Sequence, residues 1–475
     1  MHLLSQLRRR DAAPGLVLAI ICAGVVLGSL DLFIVNVALP SIGRDLHARS
    51  LSDLSWILDA YAIVYASLLV LFGRLSEGRS RDLGFLVGVL VFTVASAACG
   101  AASSLLMLII FRIIQATGAA LLTPTSLSVV LATAPAERRQ SSVRAWTALG
   151  GLAAALGPVA GGLLVALSWR WVFLVNVPIG VAALLVGWRR LPSVPGHPVP
   201  RPDLVGAALV TAGVAGLTLG LVQGNDWGWS SVGVVASLAG GVVLVIAFGL
   251  RLWQGTNPLI DPALFRVRTF SGASLVSLTF MIAFGAMLLS LVLWMQEVWG
   301  YSALRTGLSI APGPLLVPVF AFGVAGRLIE RFGPGRVIAL GGIVYSLGAI
   351  WWTLRAGLHP NYPGEVLPGT MLTGAGVGLT LPTFMAAGTS SLPPASFATG
   401  SAVINMLRQV GLAIGVAILI AIIGTPHDPH AALDVFRRGW EAVAVAALMA
   451  ALAGATVLHQ ARSRSIAPAE TTEAA

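Results

Sequence analysis

The chain has 475 residues, of which 57% are hydrophobic and 10% are charged, and its mean hydropathy is +0.89. These values lie far outside those of soluble globular proteins, so the chain is predicted to be a membrane protein. All 29 basic residues are arginines. Without a lysine the chain cannot build the lysine-dependent phosphate loop of an ATPase or form a Schiff base, and an enzyme is not expected.

Apolar runs of about 20 residues, each long enough to cross roughly 30 Å of hydrocarbon as a helix, recur along the whole chain. Fourteen spans are predicted, at 15–39, 54–73, 83–102, 105–130, 143–167, 171–188, 203–223, 231–250, 271–294, 306–326, 336–357, 366–387, 401–423 and 440–458. The first run is too long for a secretory signal and shows no cleavage site, so it is interpreted as a retained helix.

Membrane topology follows from the arginines, most of which fall on one side if the N-terminus is cytoplasmic. An even number of spans then places the C-terminus on the same side. The net charge of +10 is therefore attributed to topology, and a nucleic-acid partner is not expected. Arginine-rich, lysine-free composition favours a bacterial plasma membrane as the location.

A repeated phrase divides the chain into two parts. GRLSEGRS at 73–80 is followed 253 residues later by GRLIERFG at 326–333, and LLTPT at 121–125 is echoed by LTLPT at 379–383. Repeats in the same order at nearly one offset predict two six-span halves, related in parallel, with two extra spans between them. The predicted fold is an all-α polytopic membrane protein with these parts: 1–190, first half; 191–265, two linking spans; 266–460, second half; 461–475, cytoplasmic tail.

Both copies of the repeated phrase are predicted to form cytoplasmic turns. Glycine would end a helix there, and the arginines and glutamates would form ion pairs that exist in only one state of a gate. The residues of this prediction are Gly73, Arg74, Glu77, Arg81, Gly326, Arg327 and Glu330.

Four further motifs carry a family resemblance: LDLFIVNVALP at 30–40, FRIIQATGAA at 111–120, LGPVAGG at 156–162 and WRWVFLVNVPIG at 169–180. Together with the loop phrase, they are similar to the fourteen-span drug:proton antiporter family of the major facilitator superfamily, over essentially residues 15–460. The chain departs from the family pattern at Phe33, Ala116, Glu77 and Ser80. The resemblance implies the major facilitator fold and a proton gradient in place of a cofactor.

Two charged residues lie deep inside predicted spans and could face each other, Asp31 in the first and Arg112 in the fourth. A membrane carboxylate is costly and is usually paired or functional. Asp31 is therefore the candidate proton carrier and Arg112 its counter-charge, with a static ion pair between the two spans as the alternative. Asp59 in the second span is either a further proton-coupling carboxylate or a residue that reaches the outer interface.

LGPVAGG combines a helix-kinking proline with small residues that let helices approach closely. The resemblance implies that Gly157, Pro158, Gly161 and Gly162 serve export and close the cavity against proton leak; the alternative is ordinary helix packing. Candidate substrate-cavity residues are Gln115, Tyr61, Tyr65, Trp146, Phe284, Trp294 and Arg408, although aromatic residues are also common in cores. HDPH at 427–430 has no further ligands nearby, and no metal site is expected.

The predicted function is proton-driven efflux of lipophilic small molecules such as antibiotics, dyes or toxic metabolites. Two alternatives stay open: proton-coupled transport of one specific metabolite, and a non-transporting receptor or scaffold. The expected partners are a small-molecule substrate, protons and membrane lipid. Because one chain contains both halves, it is expected to work as a monomer.

Overall fold

The computed structural model describes residues 14–78, 80–135, 138–196, 202–255, 258–392, 396–424, 426 and 428–458. Regular structure in these ranges is entirely helical. The first residues of the predicted first half and the predicted tail at 461–475 lie outside the described part. Long apolar helices that cross the membrane dominate the architecture, as the hydropathy pattern predicts.

The first half consists of six helices. They are α1 (Pro14–Asp45), α2 (Leu51–Glu77), α3 (Arg81–Gly100), α4 (Leu105–Thr133), α5 (Arg139–Val165) and α6 (Trp171–Arg190). Serine side chains cap the starts of α2 and α4, where Ser50 and Ser104 accept hydrogen bonds from backbone N–H groups. We call the face at which α1 begins the inner face and the opposite one the outer face, following the predicted topology.

The linking pair consists of α7 (Leu204–Trp227) and α8 (Val232–Gln254). The second half contains α9 (Arg268–Val298), α10 (Ala303–Phe332), α11 (Pro334–Arg355), α12 (Leu367–Ser390), α13 (Phe397–Ile423) and α14 (Pro429–Val457). Short helical turns at Pro262–Arg266 and Tyr362–Glu365 precede α9 and α12.

The number of membrane helices agrees with the prediction. Among the described residues, thirteen helices are long and apolar enough to cross a membrane. The fourteenth is α5, which occupies the predicted fifth span and contains the apolar segment Leu156–Val165. Helix ends differ by several residues from the predicted ones, most at α14, which begins at Pro429 instead of 440.

Helices α1 to α6 pack on one another, as do α9 to α14, and the two groups meet mainly where α2 contacts α13 and α5 contacts α10. Helix α7 packs on both α2 and α13, and α8 packs on α7. An ion pair between Arg251 and Asp203 joins the inner ends of α7 and α8, with Nη2 and Oδ1 separated by 2.8 Å. The extra pair therefore lies across the junction of the two halves.

The prediction that Gly73 and Gly326 form tight turns is wrong. Gly73 lies inside α2 and Gly326 inside α10, and the chain turns later, where Gly333 has a φ of +81°. Gly326 lies in the amphipathic segment Ala325–Phe332, whose Leu328 and Ile329 pack against neighbouring apolar residues. Arg327 donates to the carbonyl of Gly323 at 2.9 Å in its own helix. Glu77's side chain lies outside the described part.

Candidate functional site

Asp31 of α1 is fully buried and is held by side chains from two other helices. Arg112 of α4 forms an ion pair with its Oδ2. Gln115, also on α4, donates to Oδ1 at 2.8 Å, and Asn176 of α6 donates to the same oxygen at 3.3 Å. Both carboxylate oxygens thus have partners, which is what a charge in the membrane interior requires. The predicted approach of Asp31 and Arg112 is present.

Arg112 lies at the centre of this network and is itself only 1% exposed. Its Nε donates to the Ile57 carbonyl of α2 at 3.1 Å, and its guanidinium carbon lies 4.0 Å from the centre of the Tyr61 ring. Gln115 also donates to Ser96 Oγ of α3 at 2.8 Å. Five helices, α1, α2, α3, α4 and α6, are therefore joined by one buried polar network.

Asp59 has the opposite surroundings. Its side chain is fully buried, and neither oxygen has a hydrogen-bond partner among the described residues. The interpretation that it reaches the outer interface is therefore wrong, because it is covered by protein. Asp59 lies on the same face of α2 as Ser52, whose hydroxyl donates to the Val222 carbonyl of α7 at 3.0 Å. This face of α2 is the one that α7 covers.

The LGPVAGG segment lies in the outer part of α5, where the helix touches both halves. A β-carbon on Gly161 would stand 2.8 Å from the Ile34 carbonyl oxygen of α1, and one on Gly162 would stand 2.7 Å from the Ala303 carbonyl oxygen of α10. Gly157 likewise allows close approach to Phe33 of α1. Only glycine lets the three backbones come this close.

Other contacts between the halves also lie near the outer face. Gln296 of α9 donates to the Val37 carbonyl of α1 at 3.0 Å, and Glu297 forms an exposed ion pair with Arg44, with 3.6 Å between Oε1 and Nη1. Together with the α5–α10 contact, these form what we call the outer seal. These contacts hold the two halves together at this face in the present conformation.

The inner face has a cavity between the two halves. Its empty volume is about 650 Å³ with the open mouth included. It is lined by Leu69, Val70, Gly73, Arg74, Thr123, Pro124, Leu127, Ser128, Leu131, Trp146, Thr399, Ser401, Ala402 and Asn405. These residues come from α2, α4, α5 and α13, and most of their side chains are apolar, as is typical of sites for lipophilic ligands.

The predicted cavity residues fall into three groups. Trp146 lines the cavity and donates to Ser126 Oγ at 3.1 Å. Tyr65 and Arg408 are hydrogen-bonded to the lining residues Thr123 and Asn405. The other four lie elsewhere: Gln115 and Tyr61 in the Asp31 network, Phe284 against Phe33 between α9 and α1, and Trp294 in a buried aromatic cluster near the outer face.

Sequence reasoning did not single out three residues that the structure brings to these sites. Asn176 and Ser96 complete the Asp31 network, and Asn405 joins Arg408 to the cavity. Asn176 stands in the quoted motif WRWVFLVNVPIG, where a single amide within an apolar run was the available signal. A serine or asparagine that faces a cavity cannot be recognised in this way from the sequence. Such residues are also common where the side chain bonds to the backbone of its own helix.

Comparisons with known proteins agree with this architecture. The cephamycin export protein CmcT of Amycolatopsis lactamdurans is 34% identical, covering 96% of this chain and 94% of that protein. The methylenomycin A resistance protein of Bacillus subtilis strain 168 is 33% identical, over 86% of this chain and 87% of that protein. A solved structure of an auto-inhibited POT family peptide transporter has the same fold, with a TM-score of 0.68, 18% identity and coverage of 95% of this chain and 99% of that one. Because the family profile described as Major Facilitator Superfamily also matches residues 21–416, the chain belongs to the Major Facilitator Superfamily.

Proposed function

We propose that the chain is a proton-driven exporter that takes up lipophilic small molecules of antibiotic type through its inner cavity and releases them at the outer face. The observation that carries this proposal is the pair of buried membrane carboxylates, Asp31 and Asp59, in a two-half fold that is open at one face and sealed at the other. Such carboxylates mark proton pathways more often than structural positions.

The cargo part of the proposal draws on the relatives. Those reported above are described by their names as an export protein for cephamycin and a resistance protein for methylenomycin A. The apolar lining of the inner cavity supports a lipophilic ligand. We expect the exporter to work as a monomer, because both halves and the cavity between them belong to one chain.

Asp59 is the better placed of the two carboxylates to exchange a proton. A buried carboxyl group without a hydrogen-bond partner is stabilised in its neutral, proton-carrying form, because the ionised form lacks both solvent and counter-charge. Neutral Asp59 is therefore compatible with the present sealed outer face. If Asp59 lost its proton, its negative charge would lie beneath α7 without a counter-charge, which is unfavourable. Opening of the outer side would lower the free-energy cost of that charge.

Asp31 supplies the second part of the mechanism. In the present conformation Arg112, Gln115 and Asn176 bind both oxygens of its carboxylate. Any rearrangement that moves α4 or α6 away from α1 would remove these partners and favour uptake of a proton. Proton binding at Asp31 would then accompany the change between the two open states.

The test is release of a stored pH gradient in inverted membrane vesicles on addition of substrate. A panel of lipophilic cations, neutral antibiotics and lipophilic acids is added to vesicles that carry wild type, Asp31→Asn, or Asp226→Asn as the control. Asp226 is exposed at the outer end of α7. We expect at least one compound class to dissipate the gradient with wild type and with the control, but not with Asp31→Asn.

A dissipation that is equal in wild type and Asp31→Asn would remove Asp31 from the mechanism. If no compound of the panel dissipates the gradient in any variant, proton-coupled export is contradicted and the scaffold alternative gains. The names of the two relatives refer to single antibiotics, which favours a narrow cargo range as the second candidate. Competition between panel members distinguishes a narrow from a broad range.

A further inference from the structure

Arg408 on α13 is a cation within the membrane that forms no ion pair with a carboxylate in the part of the chain that the structure describes. It lies eleven residues from the start of α13 at Phe397, or about 17 Å along the helix axis. Its Nη1 donates to Asn405 Oδ1 at 2.9 Å, whereas its buried Nε has no partner. Because a charge at this depth is costly, its retention without a counter-ion indicates a ligand of opposite charge.

The position of Arg408 relative to the inner cavity supports this interpretation. Asn405, which accepts its hydrogen bond, lines the cavity. Tyr65 of α2 interacts electrostatically with Arg408, and its hydroxyl is 2.9 Å from Oγ1 of Thr123, another lining residue. The guanidinium therefore lies between α2 and α13 directly behind the lining residue Asn405, although Arg408 itself is not part of the cavity lining.

The cavity lining itself carries a positive charge, the same sign as that of Arg408. Arg74 lines it near the inner end of α2, and the lining contains no aspartate or glutamate among the described residues. A cavity that is lined by one arginine and has a second, Arg408, behind its lining attracts anions and raises their local concentration. Arg112, by contrast, has its own carboxylate partner and contributes to a different, buried site.

We propose that the cargo of this exporter is an amphiphilic organic anion, above all a carboxylate, bound with its anionic group on Arg408 and its apolar body along the cavity wall. The inference rests on the proposed export function and specifies its substrate class. Guanidinium groups bind carboxylates through two parallel hydrogen bonds, and the unpartnered Nε is one of the donors that this geometry uses. Leu69, Val70 and Leu127 provide the apolar surface.

The charge of the cargo has a consequence for energetics. When one monoanion leaves the cell and n protons enter, n + 1 positive charges move inward. When one monocation leaves in exchange for n protons, n − 1 positive charges move inward. A membrane potential that is negative inside therefore drives export of an anion even without a pH gradient. The membrane potential alone would not drive one-to-one exchange of a monocation for a proton.

The test uses three probes of similar size: naphthylacetate, naphthylacetamide and naphthylethylammonium. Their binding is measured to the full chain in phosphatidylcholine proteoliposomes. We expect wild type to bind the carboxylate about tenfold or more tightly than the amide, and Arg408→Gln to lose that preference. Arg327→Gln is the matched control, because Arg327 lies at the inner face but does not line the cavity.

A second variant keeps the test informative if Arg408→Gln folds poorly. Asn405→Asp places a carboxylate next to the guanidinium, and we expect it to abolish the preference for naphthylacetate and to improve binding of naphthylethylammonium. Equal binding of the three probes by wild type, or an unchanged preference in both variants, would overturn the anion proposal. Displacement of naphthylacetate by added phosphatidylglycerol would identify a lipid headgroup as the natural source of the anion.

Transport in the same proteoliposomes distinguishes this proposal from the broader one. If the cationic or neutral probe drives proton exchange and the carboxylate neither binds nor moves, proton-coupled export stands and the anion site is wrong. If naphthylacetate binding depends on Arg408 but no probe exchanges with protons, the anion site stands and proton-coupled export is wrong. Potential-driven export of naphthylacetate that is accompanied by inward proton movement would support both, whereas the same export without proton movement would support the anion site alone.

Discussion

Asp31 and Asp59 are carboxylates of the same half with contrasting surroundings. Asp31 has partners on both oxygens, including a guanidinium, whereas Asp59 has none among the described residues. The first arrangement stabilises a charge and the second stabilises a neutral acid. The Asp31 network joins five helices, whereas Asp59 takes no part in such a network, so we expect substitution of Asp59 to disturb the fold less than substitution of Asp31.

We expect Asp59→Asn to leave the thermal stability nearly unchanged and to reduce substrate-induced proton release at least about tenfold. Asparagine has the size of the neutral acid and adds no charge, so the effect on folding should stay within the range of mild substitutions, about 1 kcal/mol. The measurements are thermal unfolding in detergent and gradient dissipation in inverted vesicles. Asp53→Asn in the first, partly exposed turn of α2 is the control.

Two results would argue against this role for Asp59. Normal proton release by Asp59→Asn would show that the carboxyl group is not needed for coupling. A large loss of stability would show that the ionised form makes contacts beyond the described residues.

At the residue scale, the sequence was sufficient to predict that Asp31 and Arg112 meet but not everything that surrounds them. Asp31 and Arg112 could be paired because both lie deep in apolar runs, where an isolated charge is costly. Tyr61 and Gln115 were predicted to line the cavity, yet they pack into the Asp31 network. Helical periodicity identifies the face on which a residue lies, but a helix in the middle of a bundle has several neighbours.

At the scale of elements, α5 is the helix that links the halves at the outer face. Its glycines contact α1 on one side and α10 on the other. The motif was predicted to close the cavity, with helix packing as the alternative. The structure shows the close helix packing of the second interpretation, and closure of the cavity against proton leak stays a prediction.

We expect Gly162→Val to weaken the outer seal. A side chain at this position would overlap the Ala303 carbonyl, and overpacking of this kind costs roughly 1–3 kcal/mol. The expected result is faster passive proton leak into vesicles and a lower unfolding temperature. The matched control is Gly240→Val on α8, where a β-carbon has no neighbour within 4 Å. Vesicles with Gly162→Val that stay as tight as wild type would exclude this contact from the seal.

Element ends were harder to predict than element cores. The repeated phrase was assigned to turns because glycine commonly ends helices, but Gly73 and Gly326 continue theirs. Glycine is also tolerated within helices of membrane proteins, where neighbouring helices approach closely. The residue that does end α10 is Gly333, whose positive φ only glycine adopts without strain.

At the scale of the whole molecule, the internal repeat was enough to predict two halves and an intervening pair, but not where that pair would lie. Helix α7 bonds to one helix of each half near the outer face. Ser52 of α2 donates to its Val222 carbonyl, and its Asn225 donates to the Ile420 and Ala421 carbonyls of α13 at 3.2 and 2.9 Å. These are carbonyls of the last turn of α13, and that of Ile420 also accepts from the backbone N–H of Gly424 at 3.0 Å. Both sets of bonds can persist only while the outer ends of α2 and α13 stay together.

We expect Asn225→Ala to shift the protein toward the conformation that is open at the outer face. Each lost hydrogen bond contributes about 1 kcal/mol, so the equilibrium should change by about five- to thirtyfold. Reactivity of a single cysteine introduced near the outer seal measures the shift. Thr211→Ala is the control on the same helix, because within the described ranges that hydroxyl donates to the Ala207 carbonyl of α7 itself and to no other helix. Unchanged reactivity in Asn225→Ala would mean that α7 does not hold the outer side closed.

The two native cysteines make such measurements direct. Cys22 and Cys99 are 4% and 0% exposed, and neither forms a disulfide. Water-soluble thiol reagents therefore cannot reach either native cysteine in this conformation. The wild-type chain serves as the unlabelled control. One cysteine introduced at the outer seal gives an accessibility signal, and a pair placed on α5 and α10 gives a distance. In this conformation, labelling therefore reports on the introduced cysteine without replacement of either native thiol.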